Sequence, residues 1–192
     1  MRKSLEETWQ YLEAKGETMP RDPSGCPFIP TAVPNDYDEE LGYSFFRTRL
    51  EDYDLSHLSL PRTFFGRSEL GRVSFAGTDL SESRMCWNDF VGCDFYRTDL
   101  SRCDMRASKF EQCRFVGASL RGADLRRSSF EGCEFSGADL TGAIAEKNYG
   151  MGRLTDEQKS GIIWAEDQDR SRQVGEQSRA ESGAAADCGN GN

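Results

Sequence analysis

From Leu50 to Leu140 a large apolar residue stands at every fifth position, and most residues between are polar. The nineteen centres are Leu50, Leu55, Leu60, Phe65, Leu70, Phe75, Leu80, Met85, Phe90, Phe95, Leu100, Met105, Phe110, Phe115, Leu120, Leu125, Phe130, Phe135 and Leu140. The residue two places before each centre is usually small, as at Ser68, Cys93, Ala118 and Ala138, with Tyr53, Leu58 and Asn88 departing from this. Two places after the centre glycine is common, as at Gly77, Gly117 and Gly137. Five is neither the strand period of 2 nor the helix period of 3.6. In extended chain, residues two apart share a face, so each centre and the small residue before it point inward. The third outward position turns a corner, which glycine eases.

Four such sides close one coil and stack residues twenty apart. The sequence sorts itself at twenty: Phe75, Phe95, Phe115 and Phe135 form one column and Leu80, Leu100, Leu120 and Leu140 another. Repetition at a fixed period reads as stacked units. The stretches FAGTDL, FYRTDL, LRGADL and FSGADL resemble the A(D/N)LxX units of pentapeptide-repeat proteins, over about 90 of 192 residues. That resemblance implies an all-β solenoid, a right-handed quadrilateral β-helix. The repeat count gives about 4–5 coils and a rod of roughly 20–25 Å at strand spacing.

Three segments follow: residues 1–44 as a capping segment, 45–145 as the β-helix, and 146–192 as a C-terminal segment. Ser4 and Glu7 make a capping box for a helix over residues 4–16, with Leu5, Trp9 and Leu12 on one face and Gly16 ending it. Pro20, Pro23, Pro27, Pro30 and Pro34 mark a loop draped on the domain. Thr155 and Gln158 can cap a short helix over 155–165, and the tail from about 168 has almost nothing to bury. A stacked coil has two open ends. The N-terminal helix or the Pro-rich loop is expected to cover one. Ile162, Ile163 and Trp164 are expected to cover the other, or to pair there with a second molecule.

Composition narrows the function. Hydrophobic residues are 36% and mean hydropathy is −0.69, which fits a thin core with much surface. The net charge of −9 argues against non-specific attachment to nucleic acid or acidic membranes. No stretch reaches membrane-span length and MRKSLEETWQ lacks a signal-peptide pattern, so a cytoplasmic protein with reduced thiols is expected.

Cys93, Cys113 and Cys133 share a column at the small inward position, without CxxC or a nearby His, and read as core. His57 has no companion motif, and Met85 and Met105 read as gap-fillers. No phosphate loop, nucleophile elbow or zinc signature is present. No catalytic, cofactor-binding or metal residues are expected.

Outward columns such as Asp94, Arg114 and Glu134 alternate in sign and read as a mutually satisfied face. Arg67, Arg84, Trp87, Arg102, Arg106, Arg121, Arg126 and Arg127 fold onto one side and its flanking corners. An exposed Trp among arginines is what binding surfaces favour. The expected function is therefore a rigid, non-enzymatic protein–protein interaction scaffold of unknown partner.

The alternative comes from the resemblance: some family members mimic DNA, bind DNA gyrase and modulate quinolone or toxin sensitivity. Mimicry needs about one negative charge per 1.7 Å, or roughly three per coil. Residues 50–140 hold 12 Lys/Arg against 15 Asp/Glu, far short of that density.

Overall fold

The computed structural model describes residues 1–15, 44–147, 150–151 and 154–165. The Pro-rich segment, Gly16, Cys26, Cys188 and the tail lie outside the described residues.

The chain is a parallel β-solenoid of about six turns with a short N-terminal helix. Its elements run α1 (Leu5–Ala14), β1 (Ser44–Phe46), β2 (Arg49–Glu51), β3 (Phe64–Gly66), β4 (Glu69–Gly71), β5 (Asp89–Val91), β6 (Lys109–Glu111), β7 (Ser129–Glu131), β8 (Ile144–Glu146), α2 (Asp156–Gly161) and β9 (Ile163–Ala165). Strands β2, β4, β5, β6 and β7 form one wall in parallel register at twenty residues, Leu50 opposite Leu70, then Phe90, Phe110 and Phe130. Single parallel bridges carry the other sides, such as Ser74 to Asp94 to Arg114 to Glu134.

Every centre from Phe45 to Ala145 is buried. From Leu50 onward so is the residue two before it, apart from half-buried Tyr53. Phenylalanines stack in columns at one-coil spacing: Phe95–Phe115 at 4.8 Å and Phe115–Phe135 at 5.0 Å, nearly parallel. Rings of adjacent sides meet edge-on, as at Phe110–Phe115. Both geometries suit the aromatic quadrupole.

The coil count exceeds the expected 4–5 because the frame continues beyond both ends read from the sequence. Phe45 stacks on Phe65 at 4.8 Å. At the other end β8 pairs with β9, Ile144 opposite Ile163. That final step is nineteen residues and contains α2, so it escapes a five-residue frame. The helix is also shorter than 155–165. It ends at Gly161, and Ile163 instead donates its N–H to the Ala143 carbonyl (2.8 Å).

The ends are covered from both directions. Ser4 and Glu7 form the capping box of α1. Its Leu12 and Thr8 are buried, Ser59 N–H donates to Thr8 Oγ1 (2.8 Å), and Tyr11 donates to the Asp54 carbonyl (3.2 Å). At the far end Gln158 reaches down to the Phe135 and Ala138 carbonyls (2.7 and 2.9 Å).

Candidate interaction surface

The sequence assigns four sides per coil, named here by their centres. The first carries Phe45, Phe65, Met85, Met105, Leu125 and Ala145. The second carries Leu50 to Phe130, the third Leu55 to Phe135, and the fourth Leu60 to Leu140. Every residue two places after a centre, from Arg47 to Gly142, has positive φ, between 51° and 73°. Thirteen of those twenty corners are not glycine. The left-handed turn is therefore a property of the position, imposed by the coil on whatever residue stands there.

The corner between the first and second sides aligns Arg47, Arg67, Trp87, Ala107 and Arg127, with Lys147 at the same place in the next coil. It contains no carboxylate and no glycine. Arg47, Arg67, Arg127 and Lys147 are exposed. Trp87 is 68% exposed at φ 61°, a conformation that bulky side chains rarely adopt. Among the described residues no carboxylate pairs with the Arg67 or Arg127 guanidinium. Arg47 covers the Phe46 ring at 5.3 Å, and Phe46 stacks on Phe64 at 5.6 Å on the outside of the first side. Phe64 lies over Gly66, where a Cβ would meet its Cζ at 2.6 Å, so only glycine leaves the ring flat there.

The arginines read from the sequence do not form one set. Arg67, Trp87 and Arg127 lie on this corner. Arg84, Arg106 and Arg126 lie on the flat of the first side. Arg102 stands on the corner between the fourth and first sides and pairs with Glu82 (3.3 Å). Arg121 belongs to the fourth side and pairs with Asp139 (2.8 Å), which corrects its placement with the others: it follows the centre Leu120, not a first-side centre.

On the flat, Arg106 binds Asp104 (2.7 Å) and faces Asp124 (3.7 Å), while Arg126 binds Asp124 (2.6 Å). Hydrogen bonds from Arg106 help hold the Asp104 carboxyl below its usual range against burial. These arginines are already engaged. Arg47 and Lys147 were missed although they fall in the column of Arg67, because the frame was begun at Leu50 and closed at Leu140.

The outward columns pair only in part. In the column of Asp94, Arg114 and Glu134 the arginine faces Asp94 at 3.5 Å, but in the separate column of Glu69, Asp89 and Lys109 the lysine turns to Glu111 on its own strand (2.6 Å). At the C-terminal end Ile162 is buried, Trp164 packs half-buried on the core, and Ile163 is 58% exposed.

Cys93, Cys113 and Cys133 are buried, each donating its S–H to a carbonyl of the coil before, as Cys113 does to Phe90 (3.5 Å). The flanking thiols Cys133 and Cys93, with burial, push Cys113 far up. Burial and the Asp104 carboxylate raise half-buried Cys86 to about 12, so it stays protonated at neutral pH. No group of three His, Cys, Asp or Glu among the described residues is placed to hold a metal. No helix among them is long and apolar enough to cross a membrane. A cleft of about 470 Å³ between α2 and the last regular coil is lined by Asp139, Thr141, Thr155, Glu157 and Gln158, with glycines and apolar residues.

Residues 63–140 match the family model for the pentapeptide repeat region. No curated protein matches the chain. Among solved structures, a pentapeptide repeat protein from the Arabidopsis thaliana thylakoid lumen is 27% identical, covering 58% of this chain and 72% of that one, with a TM-score of 0.47. Rfr23 from the cyanobacterium Cyanothece is 15% identical over 65% and 90%, with a TM-score of 0.46. QnrB1, described as a plasmid-mediated fluoroquinolone resistance protein, is 19% identical over 73% of each chain, with a TM-score of 0.36.

Proposed function

Because its residues 63–140 make this chain a pentapeptide-repeat protein, we propose that it acts as a rigid, non-enzymatic scaffold that binds a protein partner. The observation that carries the reading is Trp87. It stands 68% exposed on a strained corner, within a line of cations free of carboxylates. Aromatic and arginine anchors on a preorganised surface contribute most of the binding energy in protein interfaces, and a rigid rod loses little entropy on binding.

The charge pattern weighs against DNA mimicry toward a topoisomerase. Over residues 44–147 there are 15 Lys/Arg against 16 Asp/Glu, and the two signs interleave on the walls. Affinity capture with the wild-type protein and with Trp87→Ala tests the scaffold reading. A stoichiometric partner lost with Trp87→Ala supports it, and an unchanged set of partners contradicts it. DNA gyrase supercoiling, with and without quinolone, is expected to be unaffected at micromolar concentrations of the protein.

A further inference from the structure

We propose that the corner ridge of Arg47, Arg67, Trp87, Arg127 and Lys147 docks an extended acidic segment of a protein partner, with the Trp87 ring as its apolar anchor. This rests on the scaffold reading and adds the chemistry of the partner.

Charge carries the first step. The ridge holds four of the 15 cations of residues 44–147 and none of the 16 carboxylates, so eleven cations are left for all the carboxylates of the walls. A basic line on an otherwise acidic rod selects a negative ligand along that line and repels it elsewhere. The arginines of the adjoining flat are engaged by Asp104 and Asp124, whereas the Arg67 and Arg127 guanidinium groups have no carboxylate partner among the described residues; the Glu146 carboxylate accepts only the backbone N–H of Arg127 (3.1 Å).

Strain carries the second step. The left-handed corner disfavours every side chain, yet none of Arg47, Arg67, Trp87, Ala107 and Arg127 is glycine. Each of the other three corner columns contains glycine, at Gly92, Gly77 or Gly122 among others, so the ridge alone keeps a side chain at every described corner. Trp87 gains little from its own protein at 68% exposure.

Geometry selects the shape of the ligand. Coils stack at about 4.8 Å, so Arg67 and Arg127 lie roughly 14 Å apart and Arg47 and Lys147 roughly 24 Å. An extended chain rises about 3.3 Å per residue, so a segment of about eight residues spans the ridge with alternate side chains facing it. The ridge is one residue wide and flanked on the second side by Glu69 and Asp89. A narrow peptide on the ridge passes beside these carboxylates, whereas the broad phosphate surface of a nucleic acid duplex would lie over them.

The test is fluorescence anisotropy on the full chain at about 50 mM salt, where surface charge is weakly screened. The probes are a labelled eight-residue peptide of alternating Glu and Leu, its Lys/Leu counterpart, and a labelled eight-nucleotide single-stranded DNA. The acidic peptide is expected to bind in the micromolar range and to shift the Trp emission, and the basic peptide is not. Trp87→Ala, and separately Arg67→Glu with Arg127→Glu, should each weaken it by about tenfold or more, as loss of an interface anchor does. Arg121→Glu, on the fourth side, should leave it unchanged. These positions are exposed, and far-UV circular dichroism confirms that each variant is folded.

No binding of the acidic peptide, equal weakening by Arg121→Glu, or tighter binding of the DNA overturns the proposal. A photocrosslinker at position 107, in the ridge beside an intact Trp87 and compared with one at Ser119, separates this failure from that of the scaffold reading. A partner captured at 107 by a protein that ignores the peptide sinks only the acidic-segment proposal. Capture at neither position sinks both.

Discussion

Two corners of the same rod share a backbone and differ in almost everything else. The ridge corner carries Arg47, Arg67, Trp87, Ala107 and Arg127; the corner between the third and fourth sides carries His57, Gly77, Arg97, Gly117 and Gly137. All ten have φ between 51° and 68°. Behind the glycine-rich corner the first turn, at His57, is held from the next coil by Leu58 N–H donating to Thr78 Oγ1 (3.3 Å). The other four turns close on themselves: Thr78, Thr98, Ala118 and Ala138 donate their N–H to the centre three residues back, Phe75, Phe95, Phe115 and Phe135. With glycine at the third position this is the hydrogen-bond pattern of a type II turn.

Behind the ridge the turn is held from the next coil instead. Thr48, Ser68, Asn88 and Ser108 donate N–H to the side chains of Ser68, Asn88, Ser108 and Ser128 in turn. Each of those side chains donates onward to the Phe45, Phe65, Met85 or Met105 carbonyl. Ser128 is the last described member of this ladder, and its N–H reverts to the local bond with Leu125 (3.2 Å). The lesson is that a buried polar column can replace the local turn bond, which leaves the corner open to large side chains.

The comparison can be broken most severely at what the two corners share. Phe115→Asp places a carboxylate in the stacked interior. It should cost more than about 4 kcal/mol and unfold the solenoid cooperatively, read by circular dichroism. Asn88→Leu removes the acceptor of Ser68 N–H and the donor to Phe65 C=O at one rung. It should cost about 2–4 kcal/mol in urea unfolding, while Ala118→Ser behind the other corner should stay within about 1 kcal/mol.

Smaller changes sharpen the contrast. Gly117→Val forces a β-branched residue to φ +66° and should lose about 1–2 kcal/mol. Trp87→Gly should leave stability within about 1 kcal/mol of wild type, because relief of the corner offsets the freer unfolded chain. The smallest effect is that of pH. Thr141, helped by Arg121, lowers Asp139 to about 2, so its contribution is present above the ordinary carboxylate range and is lost as pH falls toward 2. Asp139→Asn should slightly flatten the fall of the urea midpoint over that window, since the carboxylate is largely solvated.

The fold was legible because the interior tolerates so little. A centre such as Phe95 or Leu100 must fill the space that four walls leave, and nineteen of these centres keep one frame. The ends were less legible. Phe45 has Tyr43 two places before it, not a small residue, and Ala145 is a small centre, so neither resembles the repeat although both are buried in it. The closing coil is one residue short and folds part of itself into α2, which no fixed period reveals.

The surface was legible only by column. Trp87 and Arg67 emerged together, but Arg121 was grouped with them on charge rather than on its place after Leu120. Arg47 and Lys147 lay beyond the assumed frame. Ion pairing, which removes Arg106 and Arg126 from the available cations, depends on side-chain geometry that spacing does not contain.

The claim beneath both the fold and the ridge is that residues twenty apart stand directly above one another. Genetically encoded spin labels at positions 67 and 127, with the distance read by electron paramagnetic resonance, test it most directly. Three coils of stacked strand predict a narrow distribution centred about 14 Å apart at the backbone. A separation beyond about 30 Å, or a distribution as broad as that of an unfolded chain, would contradict it.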